Sequence, residues 1–424
     1  MRSTWLGMSA LLLYGASAKP LDCAGLLSSS QTLIKGLKPY VAEIHPANVT
    51  FVPVGNPAYP NPVPDLPEFC RFGAEYNTST ISKFRFELWL PKSGHWNGRF
   101  AMVGNGGDAG GVNNAIDFGH RAVHLSAVFS KAITKSYYGK RSEYNYWIGC
   151  SSGGKQGVKS AQMYPEDFDG VIAGAPAQWW PHLNGFTTHV NLLNANATTP
   201  GAVIPPAFFA TLYQEVIAQC DKLDGVADGI ITNPRSCKPD LTRVACGSAN
   251  ISPYVNASNC LSSSQLVTLK AIYTNWTSTE GEFLFPTFEP GSEFGWPGTV
   301  NGVPYGPAPD YFSYQVLNKT SVQTLQINET ELQRLTKIAD VTDPGQTNAI
   351  NPNLKPFFGR GGKLMQYHGF ADPLIPSGSS LWYYEHASVI APGVLVQILS
   401  GGPASVAYRK AVPAKPSRLL LSTT

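Results

Sequence analysis

Charged side chains are scarce in this chain of 424 residues. Asp, Glu, Lys and Arg make up 14% of it, and the formal net charge is +3. No run of Lys and Arg is present to neutralise a phosphate backbone, which argues against a nucleic-acid partner. Disorder is not indicated either, because 43% of the residues are apolar and 11% are aromatic, enough to build a sizeable core.

Long apolar runs are also missing. The apolar stretch Trp5–Tyr14 is shorter than the ~20 residues that a membrane span needs. It follows Arg2 and precedes the small residues Ala16-Ser17-Ala18, so residues 1–18 are predicted to be a signal peptide of a secreted protein. A membrane anchor is the alternative, but no later segment qualifies as a span, so no membrane partner is expected.

Secretion changes what the cysteines and asparagines imply. In an oxidising compartment cysteines are expected to pair, and since there are seven, one is left over. Eight Asn-x-Ser/Thr sequons predict a glycoprotein. The sequons begin at Asn48, Asn77, Asn196, Asn250, Asn256, Asn275, Asn318 and Asn328.

Strand and helix patterns alternate between residues 84 and 176. This alternation predicts an α/β fold with a parallel sheet covered by helices. The predicted strands are Phe84–Pro91, Arg99–Gly107, Tyr144–Gly149 and Phe168–Pro176, and the predicted helices are His120–Gly139 and Gly153–Pro165.

The pattern changes after Trp180. Pro, Asn and Cys become frequent, so residues 181–343 are predicted to form an inserted domain between two parts of a catalytic domain, 19–180 and 344–424. Buried-strand character returns at Gly361–Pro376, whereas the tail from Pro392 is small, basic and aperiodic.

The segment Gly149-Cys150-Ser151-Ser152-Gly153 fits Gly-x-Ser-x-Gly between a predicted strand and a predicted helix. This is the context of a nucleophile elbow, in which glycines permit a sharp turn and the serine stands exposed above the sheet. Ser151 is therefore the candidate nucleophile, and the N–H of Ser152 at the helix N-terminus is a candidate oxyanion donor. A phosphate-binding turn or a plain turn is the alternative.

Two more parts of a hydrolase site have candidates. The turn Gly104-Asn105-Gly106-Gly107 follows an earlier strand, where a hydrolase places its second oxyanion donor, so Gly106 and Gly107 are candidates. The acid follows the nucleophile in chain order, and Asp372, just after a predicted strand, is the best placed carboxylate. Structural turns are the alternative interpretation of both segments.

The base is harder to find. Only His386 follows Asp372, and it lies in Ser377–Ile390, which has the pattern of a helix. A hydrolase base is expected on a loop beyond another strand, so a helix-surface histidine is the favoured interpretation of His386.

Residues 220–230, Cys-Asp-Lys-Leu-Asp-Gly-Val-Ala-Asp-Gly-Ile, form an acidic loop. Three carboxylates at this spacing, with two glycines, can wrap a hard cation such as Ca²⁺, which takes six to eight oxygens including backbone carbonyls. The candidate ligands are the side chains of Asp221, Asp224 and Asp228 and the carbonyls of Val226 and Ile230. A solvated acidic turn is the alternative.

Together these segments resemble the fungal tannase and feruloyl esterase family. The matching motifs are Gly-Cys-Ser-Ser-Gly-Gly at 149–154, Gly-Asn-Gly-Gly at 104–107, the acidic loop at 221–230 and His-Gly-x-x-Asp-Pro at 368–373. The resemblance implies an α/β-hydrolase domain with a lid inserted after the nucleophile helix, Ser151 as acyl-forming nucleophile, Asp372 as charge-relay acid and Ca²⁺ in the lid. It also implies the disulfides Cys23–Cys70, Cys220–Cys237 and Cys246–Cys260.

The chain departs from that family in two places. The family base is a histidine followed directly by a cysteine that bridges to the cysteine before the nucleophile, but this chain has no His-Cys pair, which leaves Cys150 as the odd thiol. Relatives also carry tens of extra residues after the Gly-Asn-Gly-Gly turn, where this chain has only residues 108–114. The sheet is therefore expected to lack a core strand.

Three hypotheses remain open at this point. The first is an active esterase on phenolic esters, either feruloyl groups of cell-wall xylan or galloyl esters. The second is a catalytically impaired relative that binds such ligands, and the third is an unrelated secreted binding module stabilised by Ca²⁺. The sequence favours the first for the family and the second for this chain.

Overall fold

The computed structural model describes residues 20–53, 61–107, 114–195, 201–319, 327–390 and 395–399. The predicted signal peptide and the sequon at Asn196 lie outside the described residues. The strands are β1 Leu37–His45, β2 Phe69–Asn77, β3 Lys83–Pro91, β4 Arg99–Val103, β5 Tyr144–Cys150, β6 Gly170–Gly174, β7 Trp276–Thr277, β8 Phe283–Phe285, β9 Lys363–Gly369 and β10 Leu395–Leu399.

The helices follow the same chain order. They are α1 Leu26–Leu33, α2 Ala122–Tyr138, α3 Ser152–Met163, α4 Trp180–Leu193, α5 Phe208–Cys220, α6 Ser263–Ile272, α7 Trp296–Thr299, α8 Pro307–Asp310, α9 Glu329–Thr342, α10 Lys355–Gly359 and α11 Gly378–Ile390. Local chemistry sets several of their ends: α2 stops at Gly139, whose φ is 70°, and the Asn328 side chain caps α9 by accepting the Glu331 N–H.

The largest described sheet is parallel and has the strand order β10-β9-β6-β5-β4. Its pairs are in parallel register, for example Trp147 with Val171 and Val171 with Leu364. The chain leaves this sheet after β6 and returns at β9, so the intervening residues form a separate layer of structure. The alternation of strands and helices predicted this α/β arrangement.

An antiparallel sheet, β1-β2-β3, precedes the parallel one. Along β3 the burial alternates, and Phe84, Phe86, Leu88 and Leu90 face the core while the residues between them are exposed. This two-residue period is typical of a strand that has one face packed on the core and the other exposed to solvent. The sequence predicted β3, whereas β1 and β2 were not among the predicted strands.

The C-terminal expectation was wrong at one point. The tail was predicted to be aperiodic from Pro392, but Leu395–Leu399 forms β10 and pairs in parallel with β9 from Met365 to Gly369. A five-residue segment is too short to show a period, and its pairing partner is supplied by the sheet rather than by its neighbours in sequence.

Two hydrophobic clusters organise the interior. One is built from residues between 23 and 173 together with residues between 349 and 387, and it joins both sheets to α2, α3 and α11. The other is built from residues between 177 and 375, and it includes the aromatic side chains of Phe186, Trp276 and Trp296. The boundaries predicted for the inserted domain, 181 and 343, stay a prediction.

Three disulfides cross-link the described chain, with the same pairing that the family resemblance implies. Cys23–Cys70 ties the segment before α1 to β2. Cys220–Cys237 and Cys246–Cys260 close short loops that follow α5. Within the described ranges, no helix has both the length and the apolar composition required to cross a bilayer.

The buried carboxylate of Asp117 ties the β2–β3 turn to the start of α2. It accepts hydrogen bonds from the hydroxyls of Thr78 and Ser82 and from the Arg121 guanidinium. Burial raises the pKa of Asp117, but these three donors outweigh it and the net pKa is lowered. The ionised form is therefore the stabilising one.

We expect Asp117→Asn to lower the free energy of unfolding by about 2–3 kcal/mol, because hydrogen bonds to a buried charge are lost. The measurement is the urea midpoint at neutral pH. Since the folded pKa is lowered, the stabilisation is complete above the ordinary aspartate pKa and is lost as the pH falls through the folded value. Glu331→Gln, which removes an exposed ion pair with Arg334, is the control and should cost below about 1 kcal/mol. Equal losses in the two variants would contradict this role.

Candidate active site

The turn between β5 and α3 holds Ser151 in a strained conformation. Its φ is 60° and its ψ is −122°, values that a residue with a side chain rarely adopts. The Ser151 N–H donates to the Gly174 carbonyl at 2.9 Å, and the Ser151 carbonyl accepts the N–H of Ala177 at 3.1 Å. These two bonds fix the strained residue to the end of β6, which is how surrounding structure maintains such a conformation.

Glycines let this turn pack against the loop that follows β4. A Cβ built on Gly149 would lie 2.5 Å from the Gly153 carbonyl carbon, and one on Gly104 would lie 2.5 Å from the Gly153 Cα. The Asn105 N–H also donates to Gln156 Oε1 on α3 at 3.2 Å. The two glycine motifs found in the sequence are therefore in direct contact.

A small cavity of about 30 Å³ opens at Ser151. Of the predicted oxyanion donors, Gly107 and Ser152 line it together with Ser151, whereas Gly106 is not part of its wall. The rest of the wall comes from one residue before α4, four residues of α4 and three later positions, and was not foreseen from the sequence. These residues are Ala177, Trp180, Leu183, Asn184, Thr187, Tyr305, Leu374 and Ile375. The Trp179-Trp180 pair, which marked the end of the catalytic segment, was the available signal for them.

Asp372 lies in the turn after β9. Its Oδ1 accepts the N–H groups of Leu374 and Ile375 at 3.0 and 2.9 Å, and its Oδ2 lies 3.3 Å from His368 Nε2. Burial raises the pKa of this carboxyl, but His368 and the two N–H groups outweigh it, so the net pKa is lowered. Asp372 is thus a stable carboxylate, and its two N–H bonds are also those of a turn aspartate.

The histidines have partners elsewhere. His368 is fully buried, with Nδ1 2.7 Å from Ser380 Oγ and Nε2 2.8 Å from the Ile375 carbonyl. His386 is exposed on α11, where its Nδ1 lies 2.6 Å from the Trp382 carbonyl one turn earlier. Four other histidines each hydrogen bond to one side chain away from Ser151. The pairs are His120 with Tyr164, His124 with Asp167, His182 with Asp340 and His189 with Glu329. In the part of the chain that the structure describes, no histidine hydrogen bonds to Ser151.

Cys150 is a free thiol beside the nucleophile. It shares a hydrogen bond with the Tyr367 hydroxyl, and the charge of Asp372 acts on it. Partial burial is the larger cause that raises the pKa of the thiol, and the negative charge of Asp372 is the second. The raised pKa keeps the Cys150 thiol protonated at neutral pH.

The acidic loop is exposed and turns at Gly225 and Gly229, both with positive φ. Asp221 Oδ1 accepts the N–H groups of Gly229 and Ile230 at 2.9 and 3.1 Å, and Asp224 Oδ1 accepts that of Val226 at 3.0 Å. The all-oxygen donor set fits a hard cation. Among the described residues, however, no three His, Cys, Asp or Glu side chains converge on one point that could hold a metal ion.

A strained serine between the end of a strand in a parallel sheet and the start of a helix is the nucleophile elbow typical of the α/β-hydrolase class. A sequence model of the family "Tannase and feruloyl esterase" matches residues 109–392. The chain is 33% identical over 395 residues to "Probable feruloyl esterase B-1" of Aspergillus oryzae, covering 82% of this chain and 71% of the relative. The chain therefore belongs to the tannase and feruloyl esterase family, whose members are carboxylic ester hydrolases.

Solved structures agree with this assignment. The crystal structure of feruloyl esterase B from Aspergillus oryzae superimposes with a TM-score of 0.79 at 30% identity, over 89% of this chain and 82% of that one. The tannin acyl hydrolase from Aspergillus niger superimposes with a TM-score of 0.68 at 20% identity, over 89% and 82% of the two chains. The second likeness concerns the fold alone.

We expect the native protein to contain one thiol that reacts with a thiol reagent such as Ellman's reagent, since Cys150 is free and exposed. The rate should rise as the pH increases above neutrality, because the raised pKa keeps the thiolate scarce there. Cys150→Ser is the control and should leave no reactive thiol. A native protein without a reactive thiol would show that Cys150 is bridged or inaccessible.

Proposed function

We propose that this chain is a secreted serine esterase of the feruloyl type, acting on phenolic esters of plant cell-wall polysaccharide with Ser151 as nucleophile. The strained Ser151 backbone at a cavity shared with Gly107 and Ser152 is the observation that carries the proposal. Non-glycine residues held at positive φ concentrate at functional sites, where the surrounding structure enforces them.

In the proposed reaction, Ser151 Oγ attacks the ester carbonyl carbon and the developing oxyanion accepts hydrogen bonds from backbone N–H groups. Ser152 and Gly107 are the donors that line the cavity, and Gly106 is the further candidate in the same turn. The proton that Ser151 Oγ gives up passes, directly or through water, to the alcohol oxygen as its bond to the carbonyl carbon breaks. The acyl group stays on Ser151, and water then attacks it, returning a proton to Ser151 Oγ and releasing the acid. Asp372 is the proposed acid of the charge relay.

The residues around Ser151 combine apolar and polar side chains, and the cavity of about 30 Å³ admits a phenolic ring only if its wall moves. Trp180, Leu183 and Ile375 offer apolar surface, while Asn184 and Thr187 on the same helix add polar atoms at one side. A phenolic acid has this combination of a flat ring and hydroxyl or methoxy groups. Galloyl esters share that chemistry and remain the alternative substrate.

Secretion and glycosylation belong to the same proposal. Three disulfides in one chain are typical of proteins that fold in an oxidising compartment. The N-terminal segment 1–18, with its short apolar stretch and small-residue cleavage site, would direct the chain there.

We expect the chain to be a weak catalyst. A serine without a histidine to take its proton is a poor nucleophile, so kcat/KM on methyl ferulate should lie about 10⁴-fold below that of the Aspergillus oryzae feruloyl esterase B. Ser151→Ala should remove the residual turnover. The ratio of kcat/KM on methyl ferulate to kcat/KM on methyl gallate gives the preference between feruloyl and galloyl esters. Turnover that survives Ser151→Ala would exclude Ser151. Turnover equal to that of the relative and dependent on Ser151 would show that a base operates.

Calcium binding by the acidic loop is a second expected outcome. Asp221, Asp224 and Asp228 would supply side-chain oxygens, and Val226 and Ile230 would supply carbonyls. EGTA should then lower the melting temperature, added Ca²⁺ should restore it, and Asp224→Ala should abolish both effects. Asp240→Ala, which removes an exposed aspartate outside the loop, is the control and should keep the EGTA response. A melt that EGTA leaves unchanged would count against the site.

A further inference from the structure

Two strands end their sheets with one side unpaired. β3 pairs only with β2 in the antiparallel sheet, and β4 pairs only with β5 in the parallel sheet, within the residues that the structure describes. Only seven residues connect β3 to β4, residues 92–98. The two sheets are therefore adjacent but are not joined to each other.

A cavity of about 900 Å³ lies at both free edges. Its wall includes the consecutive residues 84–91 of β3 and 99–103 of β4. Successive side chains of a strand point to opposite faces, so consecutive residues line one space when that space lies along the edge of the strand. The third wall is a stripe of α2, namely Ala122, Val123, Ser126, Ser130, Thr134 and Tyr138.

The unpaired backbone groups of β3 and β4 indicate what kind of molecule would bind in this cavity. Every second residue of an edge strand directs its N–H and C=O away from its only partner, here toward the cavity. The free backbone groups of an edge strand are a template for pairing with another extended chain, whereas a small apolar molecule offers them no hydrogen-bond partner. An extended polypeptide presents such groups on both of its sides and could pair with β3 and β4 together.

We propose that this cavity binds one extended peptide strand, which pairs with the free edges of β3 and β4 and joins the two sheets into one. The side chains on one face of that strand would lie against α2 and the buried Phe84, Phe86 and Phe100, and are therefore apolar. Those on the other face would lie beside Arg85 and Glu87, and are therefore polar.

The comparison with the Aspergillus oryzae relative supports a vacant strand position. Its alignment runs over 395 positions but covers only 82% of the 424 residues of this chain, so tens of aligned positions have no residue here. The short link after Gly107, immediately beyond β4, is where the sequence predicts such a loss. A strand supplied by another polypeptide would take the position beside β3 and β4 that no described strand fills.

The test uses a fluorescein-labelled peptide, Glu-Val-Thr-Val-Thr-Val-Glu, and the intact protein. Alternating valines match the apolar face, and the acidic ends complement Arg71, Arg85 and Arg99 on the wall. We expect saturable binding by fluorescence anisotropy. The same peptide with N-methyl groups on its three valines keeps every side chain but loses the N–H groups of one edge, so it should bind at least about tenfold more weakly.

A matched pair of variants locates the binding site. Ser126→Phe should fill the cavity from α2 and abolish binding, whereas Val128→Phe, at a position of the same helix that is 40% exposed and outside the wall, should leave binding unchanged. Near-ultraviolet circular dichroism checks that both variants fold. Failure to bind the parent peptide, equal binding of the N-methylated peptide, or unchanged binding by a folded Ser126→Phe would each overturn the proposal. These readouts are independent of esterase activity.

Discussion

The pair of hydrogen bonds that holds the Ser151 backbone to the strand beside it is the constraint on which the site depends. Both bonds reach residues after or at the end of β6, and β6 in turn pairs with β5, which ends one residue before Ser151. The strain at Ser151 is therefore maintained by the sheet itself. The same geometry brings Gly153 against Gly104, so the candidate donor loop and the candidate nucleophile are held as one unit.

The sequence predicted the parts of this unit because its requirements are local. Glycines at 149 and 153 and a serine between a strand and a helix are readable in one short window, and the structure has the turn at that position. The walls of the cavity could not be predicted from the sequence, because Leu183, Tyr305 and Ile375 come together only through tertiary packing. β10 was missed for the same physical reason, since its partner lies in another segment of the chain.

His368 shows why sequence order alone does not identify a base. It is close to Asp372, as a histidine of a charge relay would be, yet its Nδ1 lies 2.7 Å from Ser380 Oγ on α11 and its Nε2 lies 2.8 Å from the Ile375 carbonyl. Its side chain is fully buried, and neither ring nitrogen hydrogen bonds to Ser151. In this chain the interaction between His368 and Asp372 stabilises the turn that carries Leu374 and Ile375 to the cavity wall.

The pairing of β6 with β9 has a consequence for biosynthesis. Gly170 on β6 pairs with Lys363 on β9, so almost two hundred residues must be synthesised after β6 before its partner strand exists. At about 5–20 residues per second this interval lasts roughly 10–40 s. The nascent chain then presents an unpaired parallel edge, and the contact that closes the sheet is of high order and slow to form. The disulfides Cys220–Cys237 and Cys246–Cys260 span only residues made within this interval, so this segment can become cross-linked before the parallel sheet is complete.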